Sequence, residues 1–286
     1  VAHSPERLGG LVAVAPVVNR RAGWSITVLS AGGGAGCTTL VVNLANELQL
    51  TTSEPVLIVD LDYAYGAVSS YLELEGKYGV ADVLGYDGNI DADLIETTAV
   101  RHSETIRALL SPASTNFGHH GPIEAARLSE MLGACRQRHR FTIFDAARLS
   151  MDAAAVLANA SETTLVVLQP VVKDIRVTRE MIQALVDRGV AVERIKPILN
   201  RYRKRRELIT IDEAQKALGG ITPECLSNDY DSAIQGNNFG KLLSNSAPRS
   251  ALRKDFVHLA SQFSRLEGHR NGSADKAGHG IGRIPA

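Results

Sequence analysis

Three absences narrow the field before any motif is considered. Cysteine is scarce: Cys37, Cys135 and Cys225 are three in number and far apart in the 286-residue chain. That excludes a disulfide framework, points to a reducing compartment, and leaves no cysteine-based metal site. A dominant charge is missing too, because 31 Lys and Arg balance 31 Asp and Glu. No global field draws the chain to nucleic acid or to an anionic membrane, so any such binding has to be local. Long apolar runs are also lacking. Residues 8–18 (LGGLVAVAPVV) are apolar but too short to span a bilayer. Acidic Glu6 before them, the basic Arg20 and Arg21 after them, and the want of a clear cleavage site argue against a signal peptide. They read as an edge strand or linker remnant.

Apolar residues nonetheless make up 44% of the chain, enough for a sizeable core. Runs of four to seven mostly apolar residues recur as candidate buried strands: 24–29 (WSITVL), 55–61 (PVLIVDL), 105–111, 141–144 (FTIF), 163–168 (TTLVVL) and 195–199. Between them lie helical patterns, at 39–50, 78–85, 91–100, around Leu128 to Cys135, 153–158, around Ile175 to Val186, and 211–218. Pro197 places the 195–199 strand nearer an edge. Residues 112–122 read as a loop, with His119 and His120 in it lacking ligand-spaced partners. Leu252, Phe256, Leu259, Phe263 and Leu266 form one face of a last amphipathic helix. Such alternation predicts an α/β fold, a mostly parallel sheet with helices on both faces. Its ligands belong at the carboxyl ends of the strands. The expected layout is an extension or linker remnant over 1–23, one domain over 24–267, and a disordered tail over 268–286.

The glycine-rich turn after the first strand, Ser30 to Thr39 (SAGGGAGCTT), carries the strongest chemical signal. A strand, a turn of closely spaced glycines and a helix N-terminus make an anion site from backbone N–H groups and the helix dipole. Thr38 stands where a phosphate-loop hydroxyl holds Mg²⁺. The match to G-x-x-x-x-G-K-[ST] departs at Ala31 for the first glycine and at Cys37 for the lysine. Losing that lysine removes a charged donor, roughly 1.5–3 kcal/mol of phosphate binding. A glycine-rich turn without a ligand is the plainer alternative.

Other candidates fall at strand ends. Asp60 and Asp62 follow the second strand and suit Mg²⁺ and the positioning of a water, or a simple turn. Asp145 closes FTIFD as a Walker-B acid does, or as an ordinary strand-end Asp. Asn200 ends IKPILN, and its amide suits an adenine edge. Arg201, Arg203, Lys204, Arg205 and Arg206 follow, either as a phosphate- or nucleic-acid-binding run or as a solvated loop. Cys37 at a helix N-terminus suggests a thiol of lowered pKa, or a small apolar filler.

In this order, SAGGGAGCTTLVVNLA, VLIVDLDYAYGAVSSYL, YGVADVL, RFTIFDAARL, TTLVVLQPVVKDIRVTREMIQAL, ILNRYRKR and SNDYDSAIQGNNFGKLL resemble the MinD/ParA family of deviant Walker-A P-loop ATPases. More narrowly, they are similar to its CpaE/TadZ branch, which serves Flp (Tad) pilus assembly. The resemblance spans about residues 24–266. It implies a nucleotide-sandwich homodimer binding ATP or ADP with Mg²⁺. In it Gly33, Gly34, Ala35, Gly36, Cys37, Thr38 and Thr39 hold phosphates, while Thr38, Asp60 and Asp145 serve the metal. Asp62 orients the attacking water, Asn200 meets adenine, and Arg201 is a further nucleotide-binding residue. The family's signature lysine aligns with Gly32 and its phosphate-loop lysine with Cys37, so slow or absent hydrolysis is expected. Ala147 replaces a proline that often follows the Walker-B acid. The branch's receiver-like domain does not fit into residues 1–23. Implied partners are pilus or secretion proteins at the inner membrane, for a cytoplasmic protein acting there or at a cell pole. DNA is not expected. A membrane role for the last helix stays open beside packing on its own domain. So do a scaffold that binds no nucleotide and a ParA-like partition ATPase.

Overall fold

A computed structural model describes residues 22–62, 66–111, 124–204 and 209–278, the last eight of these by backbone alone. The sheet has eight strands: β1 (Trp24–Ser30), β2 (Val56–Asp60), β3 (Val100–Arg101), β4 (Ile106–Leu109), β5 (Phe141–Asp145), β6 (Thr163–Leu168), β7 (Ile195–Tyr202) and β8 (Glu224–Ser227). They run in the order β3-β4-β2-β5-β1-β6-β7-β8. Every pairing is parallel except β3 with β4. The expected mostly parallel α/β sheet is therefore present. Its central strands are apolar on both faces because helices cover both.

One layer holds α1 (Cys37–Thr52), α2 (Val68–Leu72), α10 (Leu243–Ser246) and α11 (Ala251–Gly278) over Ile26, Val28, Ile58 and Phe141. The opposite layer holds α3 (Val80–Leu84), α4 (Ala92–Thr98), α5 (Ala125–Arg138), α6 (Met151–Ala160), α7 (Val172–Val186) and α8 (Ile211–Ala217) over Leu57, Val59, Phe144 and Val166. A short helix, α9 (Tyr230–Asn238), follows β8. Helix α1 is buried without a break from Leu40 to Leu48. It is enclosed by the sheet on one side and by α2, α10 and α11 on the others. A helix so placed cannot be amphipathic in the ordinary way, which matches its apolar sequence.

The last helix departs from expectation at two points. Leu252, Phe256, Leu259 and Phe263 are buried in the core as the spacing predicts, but Leu266 is exposed. The helix also continues past Gly268 to Gly278, into the stretch read as a disordered tail. Arg270 secures this part, donating to Glu162 and to the Ala22 carbonyl at 2.6 Å each. One ion pair and one hydrogen bond to a backbone carbonyl thus hold the helix where its own propensity is weak. Its apolar face is spent on the protein's own core, against α1. Among the described residues, no helix is long and apolar enough to cross a membrane. The 8–18 stretch, the 112–122 loop with His119 and His120, and Arg205 and Arg206 lie outside the described residues.

Candidate functional site

The carboxyl ends of β1, β2, β5 and β7 meet at one edge of the sheet, and a cleft of about 570 Å³ opens there. Residues 30–39 form its floor, with Asp62, Arg148, Asn200 and Arg201 at its sides. Asp229, Tyr230 and Asn237 close it from above. The loop is fastened by its carbonyls. Ser30 Oγ donates to Gly32 O at 2.5 Å, and Asn200 Nδ2 to Ala35 O at 2.7 Å. Gly34 O accepts from Arg201 at 3.1 Å and from Gln169 at 3.4 Å. In a trans peptide the N–H points opposite the carbonyl. Holding the Ala35 carbonyl on Asn200 therefore turns the Gly36 N–H the other way. Helix α1 begins at the next residue with no side-chain cap. The N–H groups of its first turn are left for an anion, and the dipole adds to the attraction.

Gly36 is required twice over. Its φ of +99° is left-handed, and a Cβ there would stand 2.3 Å from Asn200 Nδ2. Gly66, after the Asp60-Leu61-Asp62 run, is required by contact: a Cβ would stand 2.3 Å from Ser111 Cβ. Asn200 and Arg201 reach the loop because β7 is irregular between Leu199 and Tyr202. Arg201 itself has a φ of +57°. Such bulges re-aim side chains beside a site. Arg201 also lies 5.8 Å over the Tyr230 ring, a cation–π contact.

Three carboxylates gather at one edge of the cleft, just beyond β2 and β5. The register places Asp60 directly beside Asp145 on adjacent strands. Thr38 Oγ1 donates to Asp145 Oδ2 at 2.6 Å. Asp60 accepts from the backbone N–H of Asp62 at 3.1 Å and of Val68 at 3.2 Å. It thereby anchors the turn after β2. Burial, then the neighbouring Asp145 charge, pushes the Asp60 carboxyl up to about 7. Burial likewise lifts Asp145 to about 6, against the Thr38 hydrogen bond that lowers it. Asp62 is paired with Arg148, whose Nη1 lies 2.7 Å from Asp62 Oδ2.

A divalent ion fits this chemistry. Asp145 Oδ1 is fully buried with no hydrogen-bond partner, and a buried orphan acceptor calls for a ligand. Acids raised by mutual repulsion and burial are those a cation relieves. No group of three or more His, Cys, Asp or Glu side chains forms a metal cage among the described residues. Mg²⁺ needs no such cage, because it keeps waters and takes phosphate oxygens beside one or two protein ligands.

The Cys37 thiol is not lowered: burial lifts it to about 12, and Sγ lies 3.5 Å from the Leu29 carbonyl. The small apolar alternative is the one the structure supports. At the other lysine position, a Cβ on Gly32 would stand 3.2 Å from Asp174 Oδ1. The amide of Asn200 is engaged at both ends within the chain, since its Oδ1 also accepts from the Arg201 N–H at 2.8 Å. The sequence did not single out Arg148 or Asn237, whose Nδ2 reaches Thr39 Oγ1 at 3.3 Å. Asn237 lies in the run SNDYDSAIQGNNFGKLL, so the run itself was the signal.

No protein-family model matches the chain, and no curated protein matches it. Solved structures do. A ParA family ATPase from Chlorobium tepidum is 24% identical over 84% of this chain and 99% of its own, with a TM-score of 0.75. The septum site-determining protein MinD from Pyrococcus horikoshii, solved with Mg-ADP, is 23% identical over 86% and 97%, with a TM-score of 0.72. A putative plasmid partition protein from Borrelia burgdorferi, bound to AMPPNP, is 16% identical over 85% and 99%, at 0.68. The chain therefore has the α/β P-loop fold seen in MinD and ParA ATPases.

Proposed function

We propose that this chain binds ATP and ADP with Mg²⁺ in the cleft above the glycine loop, and that it serves as a MinD/ParA-like localisation factor for Flp/Tad pilus assembly with slow or absent hydrolysis. One observation carries the nucleotide reading. The uncapped start of α1 lies behind a loop held by its carbonyls, and the Thr38 hydroxyl there meets Asp145, whose other oxygen is buried without a partner. Phosphates answer the first feature and a divalent ion the second. Gly33, Gly34, Ala35, Gly36, Cys37, Thr38 and Thr39 contribute the phosphate cradle. Thr38 and Asp145 hold the ion, with Asp60 in support, and Asn200 and Arg201 lie on the base side. Bound Mg²⁺ neutralises phosphate charge.

Slow turnover follows from what surrounds the cradle. Position 32 carries no side chain and position 37 a thiol turned into the core, so neither supplies a cation to the phosphates. Asp62, the residue assigned to the attacking water, is held by Arg148. The pilus role rests on the CpaE/TadZ-like segments, as do a homodimer and a partner in the pilus or secretion machinery at the inner membrane. Among the solved structures of this fold, a MinD of Aquifex aeolicus was solved in complex with MinC, a precedent for recruiting a second protein.

Calorimetry of ATP and ADP, with and without Mg²⁺, tests the reading on the wild type and on Thr38→Ala and Asp60→Ala. Micromolar, Mg²⁺-dependent binding that the variants lose is expected. No binding at millimolar ATP overturns it and leaves a scaffold without a ligand. Steeply salt-dependent DNA affinity would favour the partition ATPase instead.

A further inference from the structure

The two lysine positions lack charge, yet a cation stands at the metal edge of the cleft. Arg148 lies three residues beyond Asp145, on the turn that leads into α6. Asp62 lies two residues beyond Asp60, and Asp60 and Asp145 are paired in register. The two segments of the chain thus emerge side by side, and Arg148 Nη1 meets Asp62 Oδ2 at 2.7 Å. The carboxylate is mostly buried, with 12% of its side chain exposed, while the guanidinium is 46% exposed and lines the cleft. Its positive charge acts on Asp145 and on the Cys37 position. Arg201, by contrast, is committed to the Gly34 carbonyl and the Tyr230 ring on the far side of the loop.

Thr38 and Asp145 mark where a metal and the terminal phosphates belong, and Arg148 is on that edge. A guanidinium binds carboxylate and phosphate with the same planar fork, so Asp62 and a terminal phosphate are alternative anions for it. We propose that Arg148 is the in-chain phosphate ligand standing in for the two absent lysines, and that its pair with Asp62 is exchanged when a nucleoside triphosphate binds. The guanidinium passes from the carboxylate to the terminal phosphate, and Asp62 is released beside it. The pair then distinguishes triphosphate from diphosphate. This inference rests on the nucleotide reading above.

The test is Mg-ATP and Mg-ADP affinity on the full chain, for the wild type, Arg148→Ala, Arg148→Lys and Asp62→Asn, with circular dichroism to confirm folding. Arg148→Ala is expected to weaken ATP tenfold or more and ADP less than threefold. Arg148→Lys should recover part of the ATP loss. Asp62→Asn removes the competing anion and should tighten ATP at least threefold, and ADP by a smaller factor. Equal losses for ATP and ADP, no loss in Arg148→Ala, or weaker ATP binding in Asp62→Asn overturn this inference alone. A wild type that binds neither nucleotide overturns the reading beneath it as well.

Discussion

Replacing Asp60 by Asn should change how stability depends on pH, and the size of the change follows from the crowding of acids at the ends of β2 and β5. Asp60 is 1% exposed and lies beside Asp145. Its carboxyl rises from an ordinary 3.8 to about 7, through burial first and the Asp145 charge second. The folded state therefore holds a proton that the unfolded chain gives up. A raised group contributes stability that is fully present below the unfolded value and lost as pH rises through the folded one. The rise is about three pH units, and at about 1.4 kcal/mol per unit it amounts to roughly 4 kcal/mol, of which about 3 kcal/mol falls between pH 4.5 and 7.5.

Urea unfolding of the wild type and Asp60→Asn, without divalent ions, at pH 4.5, 5.5, 6.5 and 7.5, measures this directly. The variant loses one of the two backbone hydrogen bonds that the carboxylate accepts from Asp62 and Val68. That loss shifts its stability by about 1 kcal/mol at every pH and leaves the slope of the difference untouched. Wild-type stability minus variant stability should fall by about 3 kcal/mol from pH 4.5 to 7.5. Millimolar Mg²⁺ should flatten the fall, because a bound cation favours the ionised acids. A difference that stays level or grows with pH refutes the account of Asp60 as a buried acid crowded by a second one.

Three further outcomes are expected. Gly36→Ala forces a left-handed residue and displaces the Asn200 amide from the Ala35 carbonyl; it should cost about 2–3 kcal/mol in urea unfolding, and adding Asn200→Ala should not restore the loss. Cys37, with its buried thiol raised to about 12, should resist an aromatic disulfide reagent in the native protein and react on unfolding, while the half-buried Cys225 reacts first. Arg253→Ala removes the partner of Glu47, a carboxylate 3% exposed and held at 2.8 and 3.4 Å; stranding it should cost about 3–5 kcal/mol, and Glu47→Gln combined with Arg253→Ala should recover part of that.

The sheet was legible where its strands are buried on both faces. The apolar runs at β1, β2, β5 and β6 have no alternation to confuse, and they lie within a residue or two of expectation. The elements missed are short or weakly patterned ones, α9 and α10 among them. Strand β3 is two residues long, β8 is the edge strand ECLS, and α2 is the five-residue VSSYL. Their structure comes from neighbours already in place, and propensity alone does not announce it. The site divides in the same way. Loop, Thr38, Asp60 and Asp145 were legible because each sits at the end of an element with its own signal. The Arg148–Asp62 pair joins residues 86 apart, and it exists because β5 lies next to β2. The Asn200–Ala35 bond joins residues 165 apart, and it depends on a bulge that no local pattern marks.

Cys37 shows why a local rule can name the wrong outcome. A helix N-terminus lowers a thiol only when the sulfur faces the dipole and water. Here the body of α1 is buried from Leu40 to Leu48, and the sulfur of its first residue lies against the Leu29 carbonyl. Burial then decides the thiol's chemistry. The same placement explains how a phosphate loop keeps its form without a lysine. Ser30, Gln169, Asn200 and Arg201 hold the Gly32, Gly34 and Ala35 carbonyls, and none of those bonds involves position 37. The loop is built by its neighbours, so a thiol in place of the lysine expected from the Walker-A pattern leaves its form intact.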